Sequence, residues 1–270
     1  MSEHQVVLAD SRTIAYRERG TGPPLVLLHG AISDSRVWRW QLDGLSDQFR
    51  VLAWDAPGCG RSDEPPEHWR LPDYADCAAA WLNALGVERP HVLGLSWGSC
   101  VTLELYRRHP HVPASLVLAS AYAGWAGSLP PEQVAARLEG VLAVADLPPE
   151  ELLDAWPGLL TDAAPPELVD ELVAVWWDNA GIVHPVGYRA IAHSLAEADL
   201  RDVLSRIDVP TLLLYGDLDP RSPVGVAEDL HARIPTSRLV VMAGVGHVSN
   251  PEAPDQFNAH VRAFLTSLDR

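Results

Sequence analysis

Gly94-Leu95-Ser96-Trp97-Gly98 is the stretch on which the reading of this 270-residue chain turns. A serine with a glycine two residues away on each side fits a very sharp turn, because glycine removes side chains that would collide there. The apolar run Val92-Leu93-Gly94-Leu95 reads as a buried strand, and Ser99 to Arg108 reads as a helix closed by Pro110. The Ser96 hydroxyl is therefore expected above the end of a strand, at a helix N-terminus that favours negative charge.

A serine hydroxyl is too weakly acidic to attack a carbonyl unaided. It needs an imidazole as general base and a carboxylate that fixes the imidazole tautomer. Downstream, Thr211-Leu212-Leu213-Leu214-Tyr215 reads as a buried parallel strand ending in Gly216-Asp217-Leu218-Asp219, and Asp219 is the candidate carboxylate. Leu239-Val240-Val241-Met242 runs into Ala243-Gly244-Val245-Gly246-His247, a glycine-bracketed loop that can swing His247 across the strand ends as the base.

Two further segments complete the set: Leu25-Val26-Leu27-Leu28-His29-Gly30-Ala31, and Asp55-Ala56-Pro57-Gly58-Cys59-Gly60-Arg61-Ser62. With them the chain resembles the α/β-hydrolase fold superfamily over essentially its whole length, and the order Ser96, Asp219, His247 is the one that family uses. The resemblance implies an α/β fold with a doubly wound, mostly parallel sheet and a helical cap insertion. Residues 1–121 are then the first part of the core, 122–200 the cap and 201–270 the second part of the core. It also implies that a tetrahedral oxyanion is held by the backbone N–H groups of Ala31 and Trp97, donors that are typically worth about 3–4 kcal/mol each. The family places its acid three residues after the strand-end glycine, here Gly216, which selects Asp219 and leaves Asp217 to stabilise the loop. His29 and Asp55 are expected to be scaffold residues.

The remaining pattern agrees with such a sheet. Val6 to Leu8 and Arg12 to Arg17 read as an opening antiparallel pair. Apolar runs at Leu25 to Leu28, Val51 to Trp54, His91 to Leu95, Leu116 to Ala119, Thr211 to Tyr215 and Leu239 to Met242 then alternate with helical stretches. Pro72 to Leu85 reads as one helix, and Phe257, Val261, Phe264, Leu265 and Leu268 lie at helical spacing after Pro254. Between Tyr122 and Leu200 the strand runs vanish, replaced by helical segments at Pro131 to Ala145, Pro149 to Trp156, Pro165 to Asn179 and His184 to Ala198. That is too long for a loop. Tyr122, Trp125 and Trp177, with Trp97, are the candidate walls of a substrate pocket; burial of the cap on the core is the equal alternative for Trp125 and Trp177 and the expected place of Trp156.

A serine nucleophile excludes the aspartate-dependent dehalogenases and epoxide hydrolases and points to acyl transfer. The stretches Gly187-Tyr188-Arg189-Ala190, Ala198 to Leu204 and Ile207 to Thr211 resemble 3-oxoadipate enol-lactonase-like hydrolases, although Ser99 and Cys100 depart from that pattern. An enol-lactonase must bind a dicarboxylate, and the cap offers few cations beyond Arg137 and Arg189. The expected activity is therefore hydrolysis of a carboxylic ester or lactone of a small, largely apolar substrate through an acyl-enzyme. The alternatives are a C–C bond hydrolase of the meta-cleavage type, for which Gly30-Ala31-Ile32-Ser33-Asp34 is poor in glycine, and a slow or non-turnover binding or cyclising protein on the same fold.

Composition bounds the rest. A hydrophobic content of 47% suits a full core. Twenty basic against 36 acidic residues give a net charge of −16 with no basic cluster, which argues against nucleic acid and anionic membranes. No apolar run approaches the roughly 20 residues that span a bilayer, and Met1-Ser2-Glu3-His4 is unlike a secretory signal, so a cytoplasmic location is expected. Cys59, Cys77 and Cys100 form no C-x-x-C pair, the histidines show no H-E-x-x-H spacing, and neither a metal nor a cofactor is expected. Nothing in the sequence speaks to the oligomeric state.

Overall fold

The computed structural model describes residues 2–144, 147, 151, 158–181 and 183–268. Its sheet has eight strands: β1 Ser2–Val7, β2 Thr13–Arg19, β3 Pro24–Leu28, β4 Arg50–Trp54, β5 His91–Leu95, β6 Ser115–Ala119, β7 Thr211–Gly216 and β8 Ser237–Met242. Their order is β1-β2-β4-β3-β5-β6-β7-β8, with β1–β2 and β2–β4 antiparallel and every other pair parallel. β1 begins at Ser2, four residues before the apolar alternation that announces a strand. As an edge strand it is held by backbone pairing from Ser2↔Glu18 to Val7↔Thr13, which needs no buried side chains, and Val7 is indeed exposed.

The central strands read as continuous apolar runs because both faces are covered. Val26, Leu28, Val92, Leu116, Leu118, Leu213 and Tyr215 join one core with Tyr74, Ala78 and Trp81 of the helix Leu71–Ala84, Val101 and Leu105 of Trp97–Arg108, and Leu230 of Val224–Arg233. Leu25, Leu27, Leu93, Leu95, Val117, Leu212 and Leu214 point the other way. They meet Trp38, Leu42 and Leu45 around the helix Arg39–Leu45, and Phe257, Val261, Phe264 and Leu265 of Pro254–Thr266. The period-2 alternation between two cores is the signature of a sheet with helices on both sides. Each fully buried large side chain in these layers contributes about 1.5–3 kcal/mol.

β3 lies between β4 and β5, so the chain winds one way through β3 and β4 and the other way from β5 to β8. Where winding reverses, the connections after neighbouring strands leave to opposite faces and open a crevice at the strand C-termini. His29-Gly30-Ala31 follows β3 and Ser96 follows β5, so both motifs flank that crevice.

Between β6 and β7 the described chain is helical at Trp125–Ser128, Pro131–Ala143, Pro166–Asp178, Pro185–Glu197 and Arg201–Leu204. Prolines occupy the first turn of three of these helices, where the missing N–H costs nothing. The segment expected at Pro149 to Trp156 lies outside the described residues, apart from Glu151, and so does Trp156. No helix among the described residues is long and apolar enough to cross a membrane.

Candidate active site

Ser96 has φ +53° and ψ −115°, a left-handed conformation that a non-glycine residue holds only when its surroundings force it. A Cβ on Gly98 would lie 2.1 Å from the carbonyl O of Leu28, and one on Gly94 would lie 2.2 Å from the carbonyl O of Gly98. Gly98 thus lets the turn press against β3, and Gly94 lets the following helix sit close over the end of β5. The strained backbone is anchored by the Ser96 N–H donating to the Ala119 carbonyl (2.9 Å) and by the Ser99 N–H donating to the Ser96 carbonyl (2.9 Å). The helix starts at Trp97, two residues earlier than the sequence pattern suggests, because the turn itself supplies its first residues.

The structure brings Ser96, His247 and Asp219 together. The Ser96 hydroxyl lies 2.9 Å from His247 Nε2, and His247 Nδ1 lies 2.8 Å from Asp219 Oδ2. The other carboxylate oxygen accepts the N–H groups of Arg221 (2.8 Å) and Ser222 (2.9 Å). Burial pushes the Asp219 carboxyl up, but the His247 imidazole and these two N–H donors outweigh it and hold it below the usual value. An ionised acid against Nδ1 keeps the proton on that nitrogen and leaves Nε2 free to accept one from a hydroxyl. Asp217 sits apart: its Oδ1 accepts the N–H of Gly244 (2.7 Å) and Val245 (3.4 Å), tying the end of β7 to the loop that carries His247.

Two residues without a motif of their own pin that loop. Ser120 Oγ donates to the His247 carbonyl (2.9 Å), and Glu252 Oε2 accepts the Gly246 N–H (2.7 Å) while its Oε1 accepts the Thr161 N–H (2.8 Å).

The Ala31 and Trp97 N–H groups have no protein partner among the described residues. Gly30 neighbours the turn: a Cβ there would meet Ser96 Cβ at an ordinary contact distance of 3.6 Å. His29 is fully buried: Nδ1 donates to the Gly30 carbonyl (2.7 Å) and Nε2 accepts the Ala56 N–H (3.0 Å), while burial pushes the imidazole pKa down. Asp55 accepts the N–H groups of Ser35 (2.9 Å) and Arg61 (3.1 Å). Both residues join the loops after β3 and β4 and make no bond to Ser96. Asn179, at the end of the helix Pro166–Asp178, staples the insertion to the same loops. Its Nδ2 donates to Asp34 Oδ2 (2.8 Å), and its Oδ1 accepts the Gly60 N–H (2.8 Å).

A cavity opens over Ser96 and His247. Ala31, Tyr122, Trp125, Trp176, Tyr188 and Arg221 are among its walls, and Val141, Leu159, Ile191 and Leu195 complete an apolar roof. Two expectations need correction. The Trp97 side chain is not in the wall: it is fully buried, edge-on to Tyr74 at 4.9 Å, with Nε1 donating to Ser194 Oγ (2.9 Å). Trp177 is replaced in the wall by Trp176. On the helix Pro166–Asp178 the buried stripe is Leu168, Leu172, Val175 and Trp176, and Trp177 is turned about 100° away from Trp176, half-buried against the edge of the core. Trp176→Ala is accordingly expected to raise KM for bulky esters about tenfold, the equivalent of a lost aromatic contact of about 1–2 kcal/mol, while acetate esters change little. Trp177→Ala should leave chain-length preference untouched. Steady-state kinetics across an acyl series checks both, and an equal response of the two variants would refute the placement.

Residues 25–260 match the model of the alpha/beta hydrolase family. The chain is 29% identical to (E)-2-((N-methylformamido)methylene)succinate hydrolase of Acinetobacter baylyi, over 96% of each chain. It is 27% identical to 3-oxoadipate enol-lactonase 2 of the same organism, over 90% of this chain and 88% of that one. Its structure is similar to that of a thermophilic esterase from Thermogutta terrifontis solved with malate bound, with a TM-score of 0.87, 27% identity and 99% of each chain covered. A family match across 25–260, joined to this sheet order and this strand-to-helix turn, means that the chain belongs to the α/β hydrolase family.

Proposed function

We propose that the protein is a serine hydrolase that cleaves a carboxylic ester or lactone of a small substrate through an acyl-enzyme. The observation that carries this reading is the continuous hydrogen-bonded chain from Ser96 Oγ through His247 to Asp219, at 2.9 and 2.8 Å. Ser96 Oγ attacks the substrate carbonyl as its proton passes to His247 Nε2. The oxyanion that forms is held by the Ala31 and Trp97 N–H groups, donors without a partner among the described residues and so needing no reorganisation. Collapse of the tetrahedral species breaks the bond to the alcohol oxygen, which leaves with the proton from His247, or opens the ring of a lactone. Water then gives a proton to His247 and attacks the acyl carbon, releasing the acid and restoring Ser96. Asp219 stays ionised throughout and stabilises the imidazolium.

Residues 122–200 act in this reading as the cap. Tyr122 and Trp125 at its start and Trp176 within it wall the cavity, exclude water and strengthen the electrostatics of the oxyanion contacts. The named activities of the relatives, an esterase, an enol-lactonase and a succinate-derivative hydrolase, are compatible with it. The test is p-nitrophenyl butanoate. Sustained steady-state release of p-nitrophenol, far beyond one equivalent per Ser96, is expected. Release that stops at one equivalent would instead make the protein a single-turnover binder and overturn the reading.

A further inference from the structure

One full charge stands at the wall of a mainly apolar cavity. Arg221, two residues after Asp219, lines the cavity together with Ser96 and His247. Its backbone is engaged: the N–H donates to Asp219 Oδ1, and the carbonyl accepts from the Tyr122 hydroxyl and from the Arg137 guanidinium at 3.3 Å. Its side chain is not. Among the described residues the Arg221 guanidinium has neither a hydrogen bond nor an ion pair. Other arginines of the chain, such as Arg36, Arg50 and Arg70, each hold a carboxylate. Asp219, which acts on Arg221 electrostatically, already spends its oxygens on His247 and two backbone N–H groups. Arg137 adds a second positive charge beside it, over the rings of Tyr122 and Trp125 at 6.0 and 5.8 Å.

Burial pushes the Arg221 pKa down and the charge of Arg137 adds to this, yet a guanidinium stays protonated in proteins. A half-buried cation that faces the cavity without a counter-ion is poorly compensated, and an arriving anion would pair with it. The planar fork of a guanidinium matches the two oxygens of a carboxylate.

We propose that Arg221 is a specificity-determining residue that binds a free carboxylate, so that the substrate is an ester or lactone carrying a second, ionised carboxyl group. The apolar walls hold the carbon chain and Arg221 holds its charged end. This rests on the hydrolase reading above and narrows its substrate class. The cation escapes a search of the cap sequence because it comes from the loop of the catalytic acid, not from residues 122–200.

The test compares charged and neutral substrates of equal length. On the acyl side these are the monomethyl esters of succinate, glutarate and adipate against methyl butanoate, pentanoate and hexanoate. On the alcohol side they are 4-acetoxybutanoate against butyl acetate. The wild-type ratio of kcat/KM, charged over neutral, is expected to exceed about 10 in the better series. It should fall at least tenfold in Arg221→Gln, chiefly through KM, and recover in part in Arg221→Lys. A wild-type ratio at or below one in both series overturns the proposal without any variant, as does a ratio that Arg221→Gln leaves unchanged. If no ester of either kind turns over, the hydrolase reading has failed by itself. The carboxylate site is then read by protection of Ser96 from a fluorophosphonate by glutarate, which must be present in wild type and lost in Arg221→Gln, and absence of that protection sinks the Arg221 assignment.

Discussion

Ser96→Ala is expected to lower kcat on any ester the protein turns over by about 10⁴-fold or more, with the fold intact. The structural side of this expectation comes from what the hydroxyl does. Its hydrogen bond runs to His247 Nε2, whereas the strained turn is held by backbone groups, the Ser96 N–H on the Ala119 carbonyl and the Ser96 carbonyl under the Ser99 N–H. Alanine pays about the same cost as serine for a positive φ, so the melting temperature should move little. On the proposed mechanism what disappears is the covalent route, leaving the residual acceleration that the proposed oxyanion donors and the cavity would supply to a water attack. The measurement pairs kinetics with chemistry: a fluorophosphonate should inactivate the wild type and be found on Ser96 by mass spectrometry. Inactivation with Ser96 unmodified would remove it from the role of nucleophile.

How much of this was legible in the sequence depended on whether the information was local. The strand-to-helix turn was legible, because Gly94 and Gly98 are dictated by close contacts, the first with the start of the following helix and the second with the end of β3. The central strands were legible because burial on both faces leaves an unbroken apolar run, as in Leu212 to Tyr215. β1 was only half visible, since an edge strand such as Ser2–Val7 is held by backbone bonds that leave no apolar pattern. The choice between Trp176 and Trp177 was present in the sequence as helical phase: Leu168 and Leu172 continue at four-residue spacing to Trp176. Ser120, Glu252, Asn179 and Arg221 were not legible. Ser120 and Asn179 bond across 127 and 119 residues of chain, Glu252 joins Gly246, six residues away, to Thr161 across 91, and Arg221 faces a cavity assembled from distant segments; no local pattern marks such partners.

Asp219→Asn should cost about 10⁴-fold in kcat, and Asp217→Asn no more than a few-fold, although the two carboxylates stand two residues apart on one loop. Both substitutions preserve shape, so they differ only in what the charge and the proton acceptor do. At 217 the one oxygen that matters, Oδ1, accepts from the Gly244 and Val245 N–H groups, and an asparagine oxygen accepts the same bonds. At 219 the partner is the His247 Nδ1, 2.8 Å away. An amide there can present its NH2 group to Nδ1 and favour the tautomer with the proton on Nε2, and that nitrogen then cannot take the proton of Ser96. A second readout separates charge from packing. The folded-state pKa of Asp219 lies below its ordinary value, so its ionisation stabilises the fold above the unfolded carboxyl pKa of about 3.9, and that stability is lost as pH falls through the lower folded value. Asp219→Asn should therefore weaken the fall in stability on the acid side, while Asp217→Asn leaves the Asp219 contribution in place. Equal catalytic losses in the two variants, or a larger loss at 217, would overturn Asp219 as the acid of the proposed triad and with it the tautomer argument for His247.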